Sequence, residues 1–195
     1  MLALYLAPGS SSMAPHIALH ETGAPHEIRS MSFARKEHRE PAYLAINPEG
    51  KIPTLLIDGR RLTEVAGILF YLAKRYPEAK LLPADIEAQA QAVSWMSFIA
   101  AAVHPARPKG LEHAMAIFAL ADQRLGPKAD RGEWALGPYS IADIHLFRLF
   151  WRFANSLKPP KGSFPNLEAH HDRMMRRPAV IKTIEIESAI GYELP

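Results

Sequence analysis

Asn47-Pro48-Glu49-Gly50-Lys51-Ile52-Pro53-Thr54-Leu55 is the stretch on which the fold turns. Asn-Pro-Glu-Gly is a turn signal. Ile52 to Ile57 then reads as a strand, Asp58-Gly59 as a hairpin turn, and Arg61-Leu62 as the opening of the return strand. A proline at a strand start cannot donate to the ladder, so Pro53 suits an edge or a bend. Its peptide bond is either trans, the commoner state, or cis, as in about 5–6% of such bonds in folded proteins. In the cis case the N–H and C=O of Ile52 face outward. Such a pair bonds an extended peptide in antiparallel fashion.

Working outward, Leu2 to Leu6 is a short apolar run that fits a buried strand. Ser10 to Ser12 can cap a helix through Met13, Ile17 and His20, stopped by Gly23. His26 to Met31 is a second strand candidate, and Glu37 to Leu44 a short helix. On the other side, Thr63 caps a helix whose apolar residues Val65, Ile68, Leu69, Leu72 and Tyr76 recur three and four apart, until Pro77 ends it. The order β-α-β-α-β-β-α over residues 1–79 matches a thioredoxin-like α/β domain. Lys80 to Asp85 reads as a linker. Residues 86–195 read as an all-α domain, with helices expected near 86–103, 111–125, 140–154, 166–176 and 179–187.

Composition narrows the function classes. The chain has 195 residues, 48% of them hydrophobic and 22% charged, the balance of a globular protein with a proper core. It has no cysteine, so it forms no disulfide, builds no thiolate metal site and has no thiol nucleophile of its own. The net charge of +3 comes without a long Lys/Arg run or interleaved aromatics, which argues against nucleic acid as a partner. No stretch reaches the roughly 18 apolar residues of a membrane span, and Pro8, Gly9 and three serines interrupt the apolar start. A cytoplasmic location without membrane association is therefore expected.

Four elements carry candidate chemistry. Ile52-Pro53 offers backbone groups to a peptide. Leu62-Thr63-Glu64-Val65-Ala66 opens a helix, where free N–H groups favour an anion and Glu64 either pairs with a ligand ammonium or complements the dipole. Pro8-Gly9-Ser10-Ser11-Ser12 joins a strand to a helix, where a serine hydroxyl can donate to a thiolate and lower its pKa. Tyr139-Ser140-Ile141-Ala142-Asp143 reads as a capping box that nucleates a helix.

Together these residues resemble the glutathione S-transferase superfamily, over nearly the whole chain. Asn47 to Leu55 is similar to its NP-x-G-x-[VI]-P strand, where the proline is cis. Leu62-Thr63-Glu64 with Ile68-Leu69-Phe70-Tyr71-Leu72 is similar to its third-helix motif, and Ser140-Ile141-Ala142-Asp143 to its helix-6 capping box. Pro8-Gly9-x-x-Ser12-Met13-Ala14-Pro15-His16-Ile17-Ala18-Leu19 most resembles the bacterial beta class, as do Trp95 to Ile99 and Val103-His104-Pro105. The resemblance implies a glutathione-binding first domain and a helical second domain holding an electrophile. It implies glutathione contacts at Lys51, Ile52, Pro53, Glu64 and Val65, and a histidine near the ligand thiol at His104. Ser97 falls where an asparagine of the partner subunit often reaches glutathione, so a homodimer is implied.

Two departures matter. Ser11 stands where the beta class has cysteine, so catalysis rests on Ser11 or the competing Ser10, assisted by His104. Val65 stands where the family usually has a serine or threonine that binds the γ-glutamyl carboxylate. One neutral hydrogen bond, worth about 0.5–1.5 kcal/mol net, is roughly tenfold in affinity. The implied activity is conjugation of glutathione to small hydrophobic electrophiles, with glutathione as co-substrate and no metal. The alternatives are a glutathione-binding or stress-related protein with little transferase activity, and a glutathione-dependent disulfide reductase.

Overall fold

The computed structural model describes residues 1–126 and 133–193, which divide into two compact units, Met1–Ala79 with the chain from Pro178 onward, and Lys80–Arg177. In the first unit, β1 (Leu2–Leu6) is apolar on both faces and almost fully buried, as a central strand requires. Next come α1 (Met13–Thr22), β2 (His26–Ser30) and the short α2 (Pro41–Leu44). β3 (Thr54–Ile57), β4 (Arg60–Thr63) and α3 (Val65–Arg75) complete the series. The sheet order is β2-β1-β3-β4. β2 runs parallel to β1, and β3 and β4 are each antiparallel to the strand before.

α1 ends at Gly23, whose φ of 64° lets its N–H return to the carbonyl of His20. The hairpin between β3 and β4 turns at Asp58 and Gly59, both at positive φ, the geometry of a tight two-residue hairpin. Two expectations at element starts are corrected. β3 begins at Thr54 rather than Ile52, because Pro53 has no N–H to give the ladder. Thr63 closes β4 instead of capping α3. Glu64 occupies the cap position with φ 65° and ψ 126°, and no side chain caps the helix.

The second unit is helical. α4 (Ile86–Phe98) starts at Asp85, whose carboxylate accepts from the Ala88 N–H at 2.8 Å. It continues as a π-helical turn over Ile99–Val103. α5 (Leu111–Leu125), α6 (Ile141–Leu157) and α7 (Pro165–Met174) follow. Residues Ile141 to Phe153 are buried on every side, so α6 is the central helix. An aromatic core surrounds it, with the Phe118 and Phe153 rings stacked 4.2 Å apart. The expected capping box is present and extended. One oxygen of Asp143 accepts from the N–H and the hydroxyl of Ser140, at 2.9 and 3.0 Å. The other lies 2.8 Å from the Ala135 N–H and 3.1 Å from His170 Nε2.

α8 (Pro178–Ile190) belongs to the first unit, whereas the sequence reading assigned everything from 86 onward to the helical domain. The reason is polar as well as apolar. Val180, Thr183 and Glu187 are fully buried. The Glu187 carboxylate accepts from the Gly9 N–H at 2.6 Å and lies 2.9 Å from His16 Nδ1. Beyond the helix, Glu193 accepts from the Ser32 hydroxyl and the Ala34 N–H.

Candidate functional site

Strand register decides where the candidate residues meet. Tyr5, near the end of β1, pairs with Thr54 at the start of β3, and Thr54 pairs with Thr63 at the end of β4. The loop after β1, the segment before β3 and the junction after β4 therefore emerge at one end of the sheet. These are the Pro8–Ser12 loop, Lys51-Ile52-Pro53 and Glu64-Val65. The three sequence motifs of the first unit come together because the strand order brings their ends together.

In the first loop the serines divide their work. Ser12 is fully buried. Its hydroxyl donates to the carbonyl of Ala7 and accepts from the Ala7 N–H, both at 3.1 Å. Ser10, also buried, lies with its Oγ 2.8 Å from Ser12 Oγ and accepts from the Ser12 N–H. These two hydroxyls brace the loop. Neither caps α1, which has no side-chain cap bond although Ser12 holds the cap position. Ser11 is half-buried and its hydroxyl has no hydrogen-bond partner among the described residues. Of the two serines the sequence left in competition, Ser11 is the one with a hydroxyl to offer.

The second element is held by a buried network. The Ile52–Pro53 bond is cis. Tyr43 donates its hydroxyl to the Lys51 carbonyl at 2.6 Å and lies 2.8 Å from Thr54 Oγ1. Asn47 donates to the same two oxygens, at 2.9 and 3.1 Å. Asn47, Tyr43 and Thr54 are all buried, so the segment is fixed from beneath. Gly50, at φ 60°, lies where an added Cβ would stand 2.9 Å from the His38 carbonyl, so this turn requires glycine. The N–H and C=O of Ile52 make no hydrogen bond among the described residues, and the side chain is half-buried. Backbone groups left open in this way are ready for a ligand backbone. Lys51 is exposed and its ammonium sits 3.1 Å from Glu49.

The third element is the start of α3. Its first N–H groups have no side-chain cap, so they and the helix dipole favour an anion. Glu64 is exposed beside them, in a backbone conformation a non-glycine residue seldom adopts, a form of strain that collects at ligand clamps. Val65 is buried and supplies only its backbone N–H.

Ser97 and His104 lie in the second unit. Ser97 is exposed on α4, and His104 follows the π-helical turn. His104 is exposed by area, yet the protein around it, with Arg148 and Arg107, lowers its pKa. His145 on α6 is buried. Desolvation first, then Arg148 and His104, lower its pKa to about 3. Both imidazoles are therefore neutral at pH 7. A histidine depressed in the folded state binds its proton first in the unfolded chain. It is neutral in both states above about 6.5 and destabilises the fold as pH falls from there toward the folded value. The melting temperature is expected to fall steadily between pH 7 and pH 5, before ordinary carboxylates titrate, and His145→Leu to flatten the slope. A profile that is level or rises on acidification contradicts this.

Sequence reasoning missed the braces. Asn47 was read as a turn former, and only its burial beneath the strand start shows its second role. Glu187 and His16 sit 171 positions apart and carry no shared motif. Glu187 is one of two acidic residues in a helix that also carries Lys182, and no local pattern separates it from the exposed Glu185.

Comparison with known proteins gives concordant results. Residues 1–74 match the family model described as glutathione S-transferase, N-terminal domain, and residues 67–178 match the C-terminal domain. The glutathione S-transferase GstA of Escherichia coli O157:H7 is 30% identical, covering 95% of this chain and 98% of its own. Among solved structures, a glutathione transferase homologue from Sulfitobacter with bound glutathione has 30% identity and a TM-score of 0.82, covering 95% of this chain and 98% of its own. A bacterial beta-class glutathione S-transferase from Sphingomonas chungbukensis has 31% identity and a TM-score of 0.80, with the same coverage.

Proposed function

The chain belongs to the glutathione S-transferase family, with likeness to bacterial beta-class members, and on that premise we propose that it binds glutathione at the loop end of its sheet and conjugates it, through the thiol sulfur, to a small hydrophobic electrophile. The observation that carries the reading is the N–H and C=O of Ile52, unpartnered among the described residues and set at the same sheet end as the Ser11 hydroxyl and the uncapped start of α3.

Each part of the tripeptide has a matching group. The backbone of its cysteinyl residue pairs antiparallel with Ile52, beside Pro53. Its γ-glutamyl carboxylate takes the Val65 N–H and the positive end of α3, and its ammonium pairs with Glu64. Lys51 supplies a cation near the same strand. Ser11 donates its hydroxyl to the sulfur and favours the thiolate, which the uncapped start of α1 also favours. An ordinary thiol has a pKa near 8.5, so a lowering of about two units makes it mostly ionised at neutral pH. The thiolate attacks the electrophilic carbon. A carbon–sulfur bond forms, and for a chlorinated aromatic the carbon–chlorine bond breaks and chloride leaves. No residue of the chain needs to be a nucleophile, which suits a protein without cysteine.

Two residues of the second unit enter on the family likeness alone. His104 assists the thiol as a neutral imidazole, and Ser97 reaches the glutathione of the partner subunit in a homodimer. Val65 favours the rival reading of a glutathione-binding protein with little turnover. Conjugation of a chlorinated aromatic and of a panel of other electrophiles decides between them. A rate that saturates in glutathione and exceeds the uncatalysed rate is expected. Binding of glutathione with no turnover across the panel overturns the transferase reading.

A further inference from the structure

Along α1 of the first unit, three histidines converge. α1 starts at the loop end of the sheet and runs back, so that the Gly23 turn delivers the chain to His26, which pairs with Leu2 at the start of β1. His16 and His20 are four apart on α1 and therefore share a face. The ring centroids of His20 lie 4.8 Å from His16 and 5.2 Å from His26. One ring nitrogen from each of the three lies within 4.8 Å of the others.

Hydrogen bonds occupy one ring nitrogen each of His16 and His26. A neutral imidazole has one donor and one acceptor nitrogen. His16 is fully buried, and its Nδ1 lies 2.9 Å from the Glu187 carboxylate, to which it must donate. Its Nε2 is buried and without a partner among the described residues. His26 Nδ1 lies 2.7 Å from the carbonyl of Ala24 and donates to it, leaving Nε2 with its lone pair. His20 Nε2 is likewise buried and unpartnered. Two buried ring nitrogens without a partner, set beside a third imidazole, are a costly arrangement for protein alone.

We propose that His16, His20 and His26 form a three-histidine site for a divalent transition-metal ion of the zinc type, apart from the glutathione site. Three neutral imidazoles with an open fourth position suit zinc, and the half-buried His20 and His26 leave access for a water there. Tetrahedral zinc places its nitrogens at about 2.0–2.1 Å, so the rings draw together on binding. The outer partners are those that ligating histidines ordinarily have: a carboxylate behind His16 and a backbone carbonyl behind His26. Burial first, then the neighbouring imidazoles and Lys182, lower the pKa of His20 and of His26, which keeps both rings neutral and able to ligate at pH 7. The sequence reading expected no metal. The His16-x-x-x-His20 spacing offered two ligands, and the third arrives only through the turn into β2.

Chelator-treated, untagged protein titrated with zinc against a chromogenic chelator, without glutathione, tests the site. One equivalent is expected to bind tightly and raise the melting temperature, and cobalt in its place to show the visible bands of a tetrahedral ion. His20→Ala and His26→Ala are each expected to weaken zinc binding about 100-fold while the metal-free proteins melt near the parent. His16→Ala is avoided because it strands Glu187. Zinc binding that is absent, or that is unchanged in stoichiometry and affinity in both variants, overturns the proposal. Neither result bears on glutathione binding.

Discussion

Replacing Ser11 by alanine is expected to lower kcat/KM for conjugation about 10- to 100-fold, while glutathione affinity moves only a few-fold and the melting temperature hardly changes. The magnitude follows from what is lost. A hydrogen bond to a charged group contributes about 1.5–3 kcal/mol, and each 1.4 kcal/mol is tenfold in rate. The selectivity follows from the loop. Ser11 has no partner to abandon among the described residues, so the hydroxyl can go without structural cost. Ser10 differs, since its hydroxyl meets both the N–H and the hydroxyl of Ser12. Ser10→Ala is therefore expected to lower stability by about 1 kcal/mol, with a smaller loss of turnover. Steady-state kinetics on both variants beside thermal melts make the comparison. Full turnover in Ser11→Ala, with activity lost in a well-folded Ser10→Ala, moves the catalytic role to Ser10.

The largest effect on stability is expected at Asp143. Its two oxygens meet the Ser140 N–H and hydroxyl, the Ala135 N–H and the His170 ring, all at the start of the central helix. Alanine removes the cap, worth about 0.5–2 kcal/mol, and leaves buried donors unpaired at about 1–3 kcal/mol each. A loss of at least about 3 kcal/mol is expected. At about 2–4 °C per kcal/mol for a chain of this size, melting falls by about 6–12 °C. The variant that still folds is expected to bind glutathione normally, because Asp143 lies in the second unit. Unchanged melting together with lost activity contradicts this account and assigns Asp143 a chemical role.

How much of this was written in the chain depends on the range of each interaction. Helices α3 and α6 were legible because their apolar spacing and, for α6, its cap are local. The Asp58-Gly59 hairpin was legible because positive φ demands such residues. The open backbone at Ile52-Pro53 and the helix start at Glu64, on which the proposed glutathione site rests, were legible because each is a short motif. Which serine is available was not legible, since it depends on Ser12 reaching back to Ala7 and drawing Ser10 with it. The membership of α8 was hidden for the same reason. Its decisive contacts, Glu187 with Gly9 and His16, join residues more than 170 positions apart. Thr63 misled the reading because it has the composition of a cap while its register commits it to β4.

Calorimetric titration of the full chain with reduced glutathione tests the central claim most directly. One saturable site per chain is expected, and Val65→Thr, which restores a hydroxyl at the start of α3 with little change of shape, is expected to tighten it by up to about tenfold. No saturable heat at millimolar glutathione, in the parent and in Val65→Thr alike, would contradict the glutathione site and the function built on it.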